Sequence, residues 1–251
     1  MSITRDLWHP ACDQSFRNWP CPSCKTGNLV IIKDSISAVE TKESKSDRGH
    51  EAWEPDWIDE KFSAFLNCQN CGDIVVVSGR RYAATYEDYD RQTGIPESFQ
   101  SEEYLIKCIY PCPPLFEIHK SFPEIVVKEL KCAFSSYWAD HAACANGMRR
   151  TVEAVMSEQG MKTAKKNGQP IFLNSQIKEY EKTNSDNAEL LDALKWLGNY
   201  GSHISETPHS KSDLLDGFEL LEHVLLKIYA KQDEHFKNLA LKLKTTKGAP
   251  K

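Results

Sequence analysis

Two short cysteine pairs, Cys21-Pro22-Ser23-Cys24 and Cys68-Gln69-Asn70-Cys71, constrain this chain more than any other feature. A Cys-x-x-Cys turn offers two soft thiolates from one tight loop, and two such turns supply the four ligands of a closed tetrahedral zinc site. Each pair is followed by a glycine, Gly27 and Gly72, able to take the left-handed backbone conformation that aims amides at the sulfurs. The pattern predicts a small β-rich zinc ribbon holding one structural zinc on Cys21, Cys24, Cys68 and Cys71. A site closed by four cysteines stabilises a fold and performs no chemistry. Two unrelated thiol turns, or a redox pair, are the alternatives, but the redox motif opens the helix of a βαβ unit and neither pair has that setting.

The 43 residues between the pairs exceed the spacer of a compact ribbon. A polar stretch from Glu40 to Glu60 accounts for the excess and reads as an exposed insertion or loosely ordered loop. Short β-rich runs flank it, at residues 28–32 and 73–77. Nine cysteines are an odd number, so a complete disulfide framework is impossible, and clustered ones are better used on metal. Cys108 and Cys112 resemble a half-site without a partner pair; they read, like Cys12, Cys132 and Cys144, as ordinary buried thiols.

The 251 residues suffice for one large domain or two modest ones. A net charge of −5 excludes a polycation that coats nucleic acid, so any phosphate-facing surface must be a local patch. No apolar run approaches the ~20 residues of a membrane span, and residues 1–13 lack the apolar core of a secretory signal. The expectation is a cytoplasmic protein of a microbial cell, with no membrane partner.

Pro111, Pro113 and Pro114 mark a stiff connector, and the chain divides into a zinc-ribbon-like part, 1–112, and a helical part, 113–251. Pro123 opens a helix with Val126, Leu130, Ala133, Phe134 and Tyr137 on one face. Asp140 caps the next, which buries Cys144, Met148, Val152, Val155 and Met156 and ends at Gly160. After a Lys/Gly/Pro loop at 161–173 come a short helix and a longer one, about Ala188 to His203, with Leu190, Leu194 and Leu197 as its stripe. Ser212 or Asp213 caps a last long helix through Leu214, Phe218, Leu221, Leu225 and Ile228, followed by a Lys-rich tail. The fold class is α+β: a small β-rich ribbon, then an all-α bundle.

Several landmarks join these parts. Trp19-Pro20 precedes the first knuckle, Trp53-x-Pro55 precedes Phe62, and Tyr110-Pro111 follows the second knuckle. The helical part adds Ala143-Cys144-Ala145-Asn146-Gly147-Met148-Arg149-Arg150-x-x-Glu153, Gly198-Asn199-x-x-x-His203 and Ile228-Tyr229. Over roughly residues 120–230 the chain resembles the domain-of-unknown-function 4145 family, grouped with the HEPN superfamily of nucleotide-binding helical domains; the ribbon in front is a frequent companion. The resemblance implies a bundle of four to five helices, a homodimer, and a setting near restriction or anti-phage systems. Catalytic HEPN proteins are metal-independent ribonucleases that use an Arg and a His across a dimer to help a ribose 2′-hydroxyl attack the adjacent phosphate. His203 and Asn199 carry over from that motif; Gly198 stands where the Arg would be.

Cleavage of this kind needs a base near neutrality and a cation for the developing phosphorane charge. His203 is the candidate base, and Arg149 or Arg150 the candidate cation. Both arginines fall with Asn146 and Glu153 on a polar stripe opposite Met148 and Val152, which equally describes a solvated helix face. Two function classes follow. One is a dimeric binding or interaction module of a defence or restriction system, meeting RNA, a nucleotide or a protein partner without robust catalysis. The other is a ribonuclease in which Arg149 or Arg150 substitutes for Gly198. No Walker loop or nucleophile elbow supports an NTPase, kinase or serine hydrolase.

Overall fold

From Asp59 to Cys68 every second side chain turns inward: Phe62, Ala64, Leu66 and Cys68 are buried while Lys61, Ser63 and Phe65 are exposed. That period of two makes a strand buried on one face, and a six-stranded antiparallel sheet is assembled around it. The computed structural model describes residues 3–89, 96–201, 210–230 and 232–245. Contacts divide the chain into two compact units, Thr4–Pro114 and Leu115–Lys251 with Met1–Ile3.

In the first unit β1 (Ala11–Cys12), β2 (Leu29–Ile31), β3 (Ser37–Glu40), β4 (Asp59–Cys68), β5 (Ile74–Tyr89) and β6 (Pro96–Tyr110) follow the order β1-β6-β5-β4-β2. β2 and β3 share one edge of β4, Leu29 opposite Cys68 and Ser37 opposite Ser63. The inward face buries Phe62, Leu66, Val75, Val77, Tyr104 and Ile106. Phe62 meets Tyr104 edge-on at 5.0 Å, and Phe16 packs within 6 Å of both rings, at 5.9 and 5.4 Å.

This sheet is larger than the ribbon the sequence suggests. The run at 73–77 is only the start of a 16-residue strand whose partner spans 15 residues. Charged residues hide the remainder from a hydropathy reading. Arg81 on β5 pairs with Glu60 on β4, at 2.5 Å, and with Glu102 on β6, at 3.4 Å, so charged side chains tie three strands together. A register shift between Ser78 and Gly79 accommodates the pairing, and a Cβ at Gly79 would strike the Leu105 carbonyl.

The polar stretch 40–60 is mostly exposed, as expected, but it is not a bare loop. It contains α1 (Lys42–Asp47), whose N-cap Thr41 accepts from the Ser44 amide. Ser44 is buried and donates to Glu40 Oε1 at 2.8 Å, and Arg48 forks onto the same carboxylate.

The second unit contains α2 (Glu124–Ser136), α3 (His141–Glu158), α4 (Leu173–Glu181), α5 (Ser185–Gly201), α6 (Lys211–Leu225), a π-helical turn (Leu226–Ala230) and α7 (Gln232–Thr245). The expected stripes of α2 and α3 are buried, and Asp140 caps α3 by accepting from the Ala143 amide at 2.9 Å. Gly160 takes φ +75° after α3 ends. Two details differ from the sequence reading. The buried stripe of α5 is Ala188, Leu191, Leu194, Lys195 and Gly198; of the expected leucines Leu194 is buried, whereas Leu190 and Leu197 are half-buried. The N-cap of α6 is Ser210, in a reciprocal capping box with Asp213, because Ser210 sits three residues before an acceptor that can reach back to it. α3 lies centrally, packed against α2, α4, α5 and α6. Gly147 lets it approach Ala133 of α2, where a Cβ would come within 2.9 Å of that residue. Among the described residues no helix is long and apolar enough to cross a membrane.

Candidate metal centre and the Arg149–Asn199 contact

The two knuckles meet because β2 pairs with the end of β4. Gln69 donates to the Asn28 carbonyl and Leu29 to the Trp19 carbonyl, and Trp19 is fully buried with its Nε1 donating to Leu7 O at 2.8 Å. The loops have the same internal geometry. Lys25 N–H bonds the Cys21 carbonyl at 3.0 Å and Gly72 N–H bonds the Cys68 carbonyl at 2.9 Å. Lys25 and Gly72 both have positive φ, 64° and 73°. The left-handed residue of the first knuckle is therefore Lys25, and not Gly27 as the sequence suggests. Gly27 is needed for room instead: a Cβ there would collide with Cys68 Sγ.

The sulfurs of Cys21, Cys24, Cys68 and Cys71 all lie within 4.8 Å of one another. Cys21 and Cys71 are 3.7 Å apart, and Cys24 and Cys68 3.6 Å. A tetrahedron with metal–sulfur bonds of about 2.3 Å has edges of about 3.8 Å, so the donor set fits one metal ion. The amide of Gly27 points at Cys24 Sγ, and those of Asn70 and Cys71 at Cys68 Sγ, each at 3.4 Å. Asn70 adds its side-chain amide, 3.7 Å from Cys24 Sγ and 2.9 Å from Thr26 Oγ1. Ser23 is hydrogen-bonded to Asp73, clasping one knuckle to the other. Asn70 was not legible as a site residue, since only the fold brings its side chain beside a sulfur from the other knuckle.

Electrostatics agree with the shape. Hydrogen bonds from Thr26, then from the Gly27 amide and Asn70, draw the Cys24 thiol down to about 5. The amides of Cys71 and Asn70 lower Cys68. At Cys71 the amide of Asp73 pulls the same way, but burial and the neighbouring sulfurs outweigh it and push the thiol up to about 12. Four sulfurs so close cannot all be thiolates without a cation among them, which a divalent metal provides. Cys108 and Cys112 are not part of the cluster; Cys108 and Cys132 are exposed and Cys12 and Cys112 half-buried, leaving Cys144 as the buried thiol among the five.

In the helical unit, Arg149 of α3 crosses to α5. Its Nη1 donates to Asn199 Oδ1 at 2.6 Å, and its Nε lies 3.3 Å from Glu153 Oε1. Gly198 makes the crossing possible, because a Cβ at that position would collide with Arg149 Cβ and lie 2.9 Å from the Ala145 carbonyl.

Residues 131–246, which contain all of these groups, match the family model of a domain of unknown function, DUF4145. The helical unit carries a DUF4145 domain. Residues 11–105 match a second family model, the domain of unknown function DUF8608, which spans β1 to β6 up to Leu105 and includes the four cysteines. Searches of curated proteins and of solved structures gave no match.

Within the DUF4145 domain the two arginines part company. Arg149 is half-buried and joins Asn199, whereas Arg150 turns to α2 and pairs with Glu129 at 2.6 Å. Asn146 is exposed on the same helix. His203 lies outside the described residues. The α4–α5 junction holds a further buried charge that sequence reasoning missed: Lys195, 4% exposed, donates to Asn174 Oδ1 at 2.9 Å and Asp192 Oδ1 at 2.5 Å. The Asp192 carboxylate also accepts from Trp196 Nε1 at 2.9 Å.

Proposed function

We propose that this protein is a cytoplasmic two-part binding module, acting as a homodimer in a bacterial anti-phage or restriction-associated system. Its β unit is knit by a structural zinc, the metal that four thiolates in a tetrahedron select. Its helical unit is HEPN-like and engages RNA, a nucleotide or a partner protein without robust catalysis. One observation carries this reading: each candidate cation is already compensated, Arg149 by Asn199 and Glu153, Arg150 by Glu129. A cation that must stabilise a phosphorane would have to give up those partners first.

A second reading has an observation of its own. Arg149 approaches Asn199 through the space that Gly198 leaves, so a guanidinium stands beside the motif although the motif lacks its Arg. In that reading Arg149, and not Arg150, is the cation of a metal-independent ribonuclease with His203 as base.

Incubation of the full chain with single-stranded RNA without added metal separates the two. The binding reading expects retention of RNA or partner without cleavage, and a lower melting temperature for His203→Ala. Cleavage abolished by His203→Ala and Arg149→Ala but kept by Arg150→Ala establishes the ribonuclease. Light scattering that shows a monomer at micromolar concentration removes the homodimer from either reading.

A further inference from the structure

β1 is two residues long, whereas its neighbour β6 runs for fifteen. The pairing begins with Ala11 opposite Leu105 and stops with Cys12 opposite Tyr104. Beyond that point β6 pairs with β5 alone, from Glu103 opposite Tyr82 to Pro96 opposite Tyr89. Among the described residues no strand continues the line of β1. The orientation of the open backbone is fixed by one bond: Ile106 N–H donates outward to the Pro10 carbonyl at 2.9 Å. With a period of two, Tyr104, Glu102 and Gln100 present their N–H and C=O groups to the same edge. Unpaired groups on a long strand edge are a template for another strand.

The chemistry around this edge selects what would pair there. A cleft of about 480 Å³ opens where β1 ends, lined in part by His9, Cys12, Asp13, Tyr86, Glu102 and Glu103. The stretches 83–89 and 96–103 contain Glu87, Asp88, Glu97, Glu102 and Glu103 and no Lys or Arg. Two arginines stand nearby and are engaged: Arg17 donates to the Ala11 carbonyl at 2.8 Å, and Arg81 is paired with Glu60 and Glu102. Three carboxylates, Asp13, Glu102 and Glu103, line the cleft beside these two engaged guanidiniums, so the edge is on balance anionic.

We propose that the free edge of β6 beyond Tyr104 is a docking site for an extended, Lys- or Arg-rich segment of a protein partner, which adds as a strand in continuation of β1. Main-chain bonds to Glu102 and Gln100 supply the affinity, and the carboxylates select basic side chains. The inference rests on the proposed binding role and gives it a surface and a partner chemistry. Ribonuclease assays do not bear on it.

The test is fluorescence anisotropy of a labelled nine-residue peptide of alternating Lys and Val, titrated with the full-length protein. The expected result is binding that weakens as salt rises, with an alternating Glu/Val peptide at least about tenfold weaker. Gln100→Pro removes an outward donor without touching the ladder to β5, and weakens binding by about tenfold. Asp13→Lys combined with Glu102→Lys does the same. Should Gln100→Pro lower the melting temperature, the peptide N-methylated on alternate residues replaces it, and must bind about tenfold more weakly. Absence of binding, equal affinity for the acidic peptide, or binding indifferent to both Gln100→Pro and N-methylation overturns the proposal. Loss on charge reversal alone also overturns it, since that describes adsorption without strand addition.

Discussion

Arg149 and Gly198 occupy one another's space: the arginine's Cβ lies where a side chain at 198 would begin. The absence of a side chain at Gly198 thus has a packing consequence, admitting the stem of Arg149 between α3 and α5 and placing its guanidinium on Asn199. A position that reads as a missing cation in the sequence is, in three dimensions, where a cation from another helix passes.

Gly198→Ala should therefore destabilise the helical unit by about 1–3 kcal/mol through overpacking. Part of the loss should return in the Arg149→Gly background, which removes the Cβ that the new methyl strikes, though the Ala145 carbonyl still limits the space. Denaturant melts of the four proteins of this cycle measure it, and strict additivity would show that the two residues do not interfere.

Purified protein should carry about one equivalent of zinc per chain. Cys68→Ser should abolish it and lower the melting temperature, because metal binding is folding free energy for such a cluster. Gly27→Ala should weaken metal affinity by roughly 10- to 100-fold while leaving all four ligands in place, since its Cβ would displace Cys68 Sγ. Elemental analysis and a competitive chelator titration read both; unchanged affinity in Gly27→Ala contradicts the geometry.

Lys195→Met should cost on the order of 1–3 kcal/mol. The apolar stem is replaced, but Asn174 and Asp192 lose the ammonium that joins α4 to α5. Thermal melting detects the cost, and amide exchange should show α4 opening more readily than α3. A neutral substitution would mean that solvent replaces the ammonium without penalty.

Glu222 of α6 supplies a pH signature. Burial, reinforced by Glu117 and Glu219, holds its carboxyl above the ordinary glutamate value. A carboxyl raised in the folded state prefers to be protonated on folding, so it subtracts stability as pH rises from the unfolded value through the folded one. Glu222→Gln should raise the melting temperature at neutral pH and leave it unchanged below about pH 4, where the native carboxyl is already neutral. A melting temperature equal to wild type at neutral pH would falsify the assignment.

Local chemistry made much of this molecule legible in its sequence. The paired cysteines announced their cluster, because a Cys-x-x-Cys turn places two sulfurs together whatever surrounds it. The inward faces of α2 and α3 followed from a period set by helix geometry, and Asp140 followed from the needs of a helix start. Other features depended on what lies across from a residue. Arg80, Arg81, Glu102 and Glu103 lie outside the apolar runs that mark strands in the sequence, yet they line long strands where each charge meets a partner on a neighbour. The stripe of α5 keeps Leu194 but also buries Lys195, whose ammonium is held by Asp192 on its own helix and by Asn174 of α4, a partner that no helical period reveals. Asn70 at Cys24, the choice of Arg149 over Arg150 at Asn199, and the open edge of β6 belong to the same class. Each is set by contacts between segments distant in the chain, and such contacts exist only once the chain has folded.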